Sequence, residues 1–227
     1  MRKIRGREVT TFISIFLLVL SLGIGTDAIL LGWLPAGDFR GITLFLGGII
    51  LVYAYAFGAY RLFLKVYPLK EGEIRPDSQE EFGYHVYLLF YLILFYPILR
   101  SGAMPVPIMR VIYQVLGARL GANTYSSGII LDPPMVEIGS DSIVGQFALL
   151  VPHVIEGHKL AHYKIRIGNH VTVGAHSVVL SGVTIENNAI VATGAVVSKG
   201  THIGAGEVWG GVPAKRLIGA VGEGFRQ

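Results

Sequence analysis

IGNHVTVGAHSVVLSGVTIENNAIVATGAVVSKG, residues 167–200, divides into units of six that open on an aliphatic residue. The count runs on through IGAGEV and WGGVPA to Ala214, and backwards it reappears from Leu120 to Ile155 as LGANTY, SSGIIL, DPPMVE, IGSDSI, VGQFAL and LVPHVI. Of these fourteen hexads eleven begin with Ile, Leu or Val, twelve carry Thr, Ser, Ala, Val or Ile at the fifth position, and seven have Gly at the second. A helical period of 3.6 fits none of this, and period-two strands of a sandwich would drift out of register. One large aliphatic, one small residue and frequent glycine every six residues predict a parallel β-helix, with short strands meeting at tight corners. Three hexads make a triangular coil, so residues eighteen apart stack: Ile138 over Leu120, and Ile185 over Ile167. Glycine is expected to supply positive φ at the corners, together with Asn123, Asn169 and Asn187.

The stretch 167–200 and the closing WGGVPAKRL resemble the hexapeptide-repeat acyltransferases over about the last hundred residues. The resemblance implies a left-handed coil, a homotrimer with active sites between subunits, and an acyl-coenzyme A donor, acetyl-CoA first. The acceptors of that family range over sugars, antibiotics, serine and glycans. DPPMVEIGSDSIVG is also similar to repeat domains at the ends of some peptide synthetases, which leaves an amide-forming role open.

The first half of the chain has a different character. Mean hydropathy is +0.57, and Val9 to Gly25 is an uncharged run of seventeen residues that continues past Asp27 through AILLGWL. Ile42 to Tyr60 is a second run of nineteen. Both are long enough for about 30 Å of hydrocarbon when the first extends past Asp27 or the bilayer thins. A basic leader also begins cleaved signal peptides, but the length of this run and the second span behind it favour an anchor. Four basic residues in MRKIRGRE, and Arg61, Lys65, Lys70 and Arg75 after the second run, against Arg40 alone between them, put both ends of the hairpin on the cytoplasmic side. Phe82 to Leu99 is short, rich in Tyr and Phe, and carries His85 and Pro97 between basic flanks, so it is expected to be re-entrant or interfacial. The expected organisation is a membrane domain over 1–100, a linker and capping helix over 101–119, and an all-β repeat domain over 120–227 on the cytoplasmic face of a multi-pass inner-membrane protein. The cap is predicted to use the face Ile108, Val111, Ile112 and Val115. A net charge of +4 without long blocks of one sign gives no sign of nucleic-acid binding; the cations suit lipid headgroups and cofactor phosphates. With no cysteine there is neither a disulfide nor a thiolate nucleophile.

Five of the seven histidines fall between 153 and 176, around EGHKLAHYKIR, residues 156–166, where the hexads fail. A loop ejected from a rigid coil is where a repeat scaffold places chemistry. Acyl transfer to a hydroxyl needs a base near neutral pKa, and His153, His158 and His162 qualify. The resemblance implies that the catalytic histidine follows a glycine before an IGN hexad, which selects His158 at Gly157-His158, with His162 and His153 as alternates. Glu156 and Asp132 are the carboxylates available to orient it. Asp132 opens a hexad where an aliphatic belongs, as a distortion or as a functional group. His170 and His176 read as solvated or interfacial. For the donor, the resemblance implies a groove along the later coils: Gly194, Gly211 and Ala214 for close approach, Lys215 or Arg216 for phosphates. Trp209 heads its hexad in place of an aliphatic, closing the core or flanking that groove.

No metal site is expected. γ-Class carbonic anhydrases share the fold with zinc on three histidines, but Ala175 and Leu180 stand where two of those ligands would be. The expected function is transfer of an acyl group from coenzyme A to a hydroxyl or amine of a membrane lipid, lipid-linked sugar or envelope glycan precursor. The alternatives are a non-catalytic trimeric membrane scaffold and, less favoured, a metal protein similar to the γ-class carbonic anhydrases.

Overall fold

The computed structural model describes residues 3–217, which form two compact units. One comprises the residues up to Pro68 with Asp77–Pro97; the other comprises Leu69–Pro76 with Ile98 onward. The boundaries therefore differ from those expected: residues 69–76, inside the anticipated membrane segment, belong with the repeats. Hydropathy segments a chain by apolar runs, and a short polar connector that contributes a strand elsewhere is invisible to it. Arg2 of the basic leader and residues 218–227 of the repeat domain lie outside the described residues.

In the first unit, α1 (Gly6–Leu31) and α2 (Arg40–Val66) are joined through a 3-10 turn at Gly37–Phe39. They approach closely where side chains are missing: a Cβ at Gly23 would lie 2.5 Å from Val52 Cγ2, and one at Gly47 2.5 Å from Asp27 Oδ1. Such close backbone approach is how helices pair when apolar burial cannot drive them together. The third helix begins at Ser78, whose hydroxyl accepts from Glu81 N–H at 3.1 Å. It runs as α3 (Gln79–Phe90), a π-turn (Tyr91–Phe95) and α4 (Tyr96–Arg100). The π-turn shifts the hydrogen bonding by one residue just before Pro97, so the helix passes a residue that ordinarily breaks it. The whole spans 22 residues, longer than its apolar run, because the capped first turn Gln79–Glu81 is polar. By length and composition three helices, Gly6–Leu31, Gly37–Val66 and Gln79–Arg100, are long and apolar enough to cross a membrane.

The second unit is built of triangular coils whose three walls are parallel sheets. In the first wall, Leu120, Ile138, Ile167, Ile185 and Ile203 stand in register. In the second, Val144, Val173, Val191 and Trp209 do the same; in the third, Ile130, Leu150, Val179 and Val197. Apart from half-buried Trp209, these side chains are buried; all but Ile130 are the hexad heads that predict the core, and Ile130 fills the third wall in place of the head Asp132.

At the corners Asn123, Gly182, Gly194, Gly200 and Gly206 take the expected positive φ, but Asn169 and Asn187 do not. Positive φ falls one residue later than Asn169 and Asn187, in the column Asn123, Asp141, His170, Asn188 and Gly206. Asn169 and Asn187 instead use their side chains: Ser140 N–H donates to Asn169 Oδ1 and Asn169 N–H to Asn187 Oδ1, each at 2.7 Å. The second-position glycines are required for proximity rather than for φ. A Cβ at Gly168 would stand 2.5 Å from Asn187 Oδ1 and 2.9 Å from Asn187 N.

The cap also differs from its prediction. Helix α5 (Val106–Leu116) turns Met109, Tyr113 and Leu116 onto the coils, while Ile108, Val111 and Val115 are exposed and Ile112 is half-buried. Both faces are apolar, so periodicity could not choose between them; Tyr113 does. Its buried hydroxyl donates to Gly128 O at 2.9 Å and accepts from Ile130 N–H at 3.2 Å, satisfying backbone at the open end of the first coil. Tyr113→Phe is expected to cost about 1–3 kcal/mol, read as a lower thermal midpoint of the full chain. An unchanged midpoint would show that the hydroxyl does not hold the cap.

Candidate active site

The interruption of the hexads is a β-hairpin. His153–Glu156 and Lys159–His162 pair antiparallel, with Gly157 at φ +57° and His158 in the turn. Gly72–Glu73 joins the outer edge, opposite His162 and Ala161, so the three-stranded sheet draws on a segment 80 residues or more upstream. The chain then re-enters the coil at Ile165–Ile167, alongside Val136–Ile138. Ion pairs fix that re-entry: Glu71 to Arg166 at 2.9 Å and Glu137 to Lys164 at 2.7 Å. For Glu71, desolvation works against the charge, but the Lys164 N–H and Arg166 hold its carboxyl below the ordinary range. For Glu137, the Lys164 hydrogen bond dominates and acts in the same direction.

Asp132 shows why an acid can open a hexad. It sits at φ +46° ahead of the 3-10 turn Pro133–Met135, a local departure from the coil, and it is buried at 2% exposure. Its Oδ2 lies 2.5 Å from His153 Nδ1. A carboxylate can only accept, so the imidazole carries its proton on Nδ1 and leaves Nε2 as the basic nitrogen. The His153 side chain keeps 21% of its surface exposed. Burial pulls its pKa down, but the hydrogen bond and charge of Asp132 outweigh this and raise it above the ordinary imidazole value. His162 lies opposite His153 in the hairpin, fully buried; burial pushes its pKa down, with the Asp132 charge opposing and His153 reinforcing.

The remaining expected residues are dispersed. His158 stands exposed at the hairpin tip. Glu156 is bound to Lys199, which lowers its carboxyl pKa, so the carboxylate beside a hairpin imidazole is Asp132. His170 and His176 occupy exposed positive-φ corners, and the His176 ring is 5.0 Å from that of Phe147. Gly194 is a corner at φ +72° with open space where its side chain would be. Gly211 and Ala214 lie in the turn after Val208–Gly210, and Ala214 N–H donates to Val196 O at 2.8 Å. Lys215–Arg216 folds back antiparallel on Trp209–Gly210, with Lys215 exposed and Arg216 3.1 Å from Glu207. Trp209 donates its Nε1–H to Glu207 at 2.8 Å. Among the described residues no three His, Cys, Asp or Glu side chains form a group that could hold a metal ion.

Sequence reasoning left His153–Asp132 unpaired and missed Glu71 and the strand at Gly72. The signal for the first was present in the misplaced acid at a hexad head; for the second there was none.

The chain is 35% identical over 88 residues to the mitochondrial γ carbonic anhydrase 2 of Arabidopsis thaliana, covering 38% of this chain and 32% of that protein. It is 32% identical over 111 residues to the galactoside O-acetyltransferase of Escherichia coli K12, covering 42% and 51%. Among solved structures, a galactoside acetyltransferase in complex with coenzyme A is 26% identical, covers 44% of this chain and 54% of that one, and superposes with a TM-score of 0.40. The chain thus spans about a third of the first of these relatives and half of the second. Residues 164–199, the coils that follow the hairpin, match the family described as bacterial transferase hexapeptide (six repeats).

Proposed function

We propose that this chain is a membrane-anchored acyltransferase, carrying acetyl from acetyl-CoA to a hydroxyl or amine of a lipid, lipid-linked sugar or envelope glycan precursor. The repeat domain faces the cytoplasm, where coenzyme A is, and acts as a homotrimer. The observation that carries the reading is the His153–Asp132 pair at 2.5 Å, set where the repeat is broken. Asp132 holds the Nδ1–H, so Nε2 of His153 takes the acceptor proton as its oxygen or nitrogen attacks the thioester carbonyl. The tetrahedral adduct collapses with loss of the C–S bond, and the imidazolium returns the proton to the departing thiolate. This moves the base from His158, at the tip, to His153, whose tautomer is fixed. The name of the Escherichia coli relative supports O-acetyl transfer, and the matched repeats support the scaffold. The two γ carbonic anhydrase relatives support the fold without the reaction, because Ala175 and Leu180 cannot ligate zinc.

Thermal unfolding of the full chain in detergent, with increasing coenzyme A, tests the reading. A binding protein gains about 2.7 kcal/mol at a ligand concentration a hundred times its Kd, seen as a rising midpoint. A midpoint indifferent to coenzyme A and acetyl-CoA favours the scaffold and removes the enzyme.

A further inference from the structure

Helix α5 has two apolar faces, and the cap uses one of them. Its other face presents Ile108 at 48% exposure, Val111 at 55% and Val115 at 36%, with Ile112 between them, at helical spacing. Four aliphatic side chains in one stripe on an 11-residue helix need a partner. Two features of the chain say what kind. From Phe82 to Leu131, fifty residues contain no Asp or Glu, yet carry Arg100, Arg110 and Arg119. Only Ser101–Pro105 separate the end of the third apolar helix at Arg100 from Val106, and five residues reach about 17 Å at most.

We propose that α5 is an interfacial helix that lies on an anionic bilayer surface, its stripe Ile108, Val111, Ile112 and Val115 among the upper acyl chains. The proposal rests on the reading of the first two helices as membrane spans and of the third as re-entrant or interfacial, so that it begins and ends on the cytoplasmic side. A short tether then keeps α5 at the surface where the third helix ends, and an acid-free basic surround matches phosphatidylglycerol-type headgroups. Arginine suits this position, since its stem lies along apolar surface while the guanidinium stays at headgroup level. The opposite face grips the first coil through Tyr113, so the same helix holds the β-helix against the membrane. A bilayer-bound acceptor is thereby brought to the repeat domain by a rigid element instead of a free linker.

The chain has no cysteine, so single thiols introduced into the full protein can be labelled cleanly. Val111→Cys and Val115→Cys carry an environment-sensitive fluorophore; Ser198→Cys, exposed in the later coils, is the water control, and Leu17→Cys in α1 the lipid control. In nanodiscs containing phosphatidylglycerol, labels at 111 and 115 should emit at shorter wavelength than that at 198. Brominated lipid should quench them roughly twofold more, with the difference shrinking in purely zwitterionic lipid. If position 17 is quenched and positions 111 and 115 behave like 198, the proposal is overturned and the membrane reading stands. If position 17 also reports water, the membrane reading itself fails. Shielding at 111 and 115 that persists in detergent without lipid, and rises with protein concentration, would assign the stripe to a second copy and overturn the proposal.

Discussion

His153→Ala is expected to lower acetyl transfer by about 10²- to 10⁴-fold, the contribution of one positioned general base. Coenzyme A binding should survive, because the residues expected to meet the donor, Gly194, Gly211, Ala214 and Lys215, lie on the later coils. Asp132→Asn should lose about 10²-fold or more while keeping the side chain's shape, since an amide can donate to Nδ1 and so select the wrong tautomer. The two changes also differ with pH. Burial lowers the affinity of His153 for a proton, and Asp132 more than restores it, leaving the imidazole above its ordinary value. The base works only when unprotonated, so the acid limb of kcat/KM in the unaltered protein should lie above that of free imidazole. In Asp132→Asn only burial remains, and the limb should move to lower pH. A purely structural role for the pair would lower kcat/KM without moving the limb. Wild-type turnover in His153→Ala, with loss in His158→Ala or in His176→Ala, would place the base at the tip or on the corner beside Phe147 and remove the dyad from the mechanism.

The fold was readable from sequence wherever one periodicity controlled one kind of contact. Leu120 over Ile138 and Ile167 over Ile185 follow from the hexad alone, because only a coil of three hexads buries every head. Where two sequence patterns were equally apolar, as on the two faces of α5, the outcome turned on hydrogen bonds of Tyr113 that no periodicity encodes. The hairpin was located by the failure of the repeat, but its chemistry depended on a residue before the interruption. Asp132 reaches His153 across 21 positions because one coil and a positive-φ turn return the chain to the same corner. Spacing in sequence does not show such a contact; the oddity of an acid at a hexad head was the only hint.

The glycines of the repeat offer the sharpest separation of two physical roles. At Gly174, the second residue of its hexad, φ is not positive, but a Cβ would fall 2.5 Å from Thr193 N and 2.7 Å from Ala192 C, in the backbone of the next coil. Backbone cannot swing aside as a side chain does. Gly174→Val must therefore push the two coils apart along a seam that carries Thr172 N–H to Ala189 O at 3.1 Å and Gly174 N–H to Val191 O at 2.8 Å. Overpacking of this kind costs about 1–3 kcal/mol, and each stretched hydrogen bond adds about 1 kcal/mol. A loss of about 4 kcal/mol is expected, with broadened melting, since in a stacked repeat each coil is stable mainly through its neighbours. Gly194 has the opposite character: positive φ and nothing within 4 Å of its would-be Cβ. Gly194→Ala should cost only the left-handed penalty of about 1–2 kcal/mol and melt as sharply as the parent. Thermal melts of both variants of the full chain, followed by circular dichroism, decide the matter. Equal losses would mean that backbone conformation, not the closeness of successive coils, places glycine in these hexads.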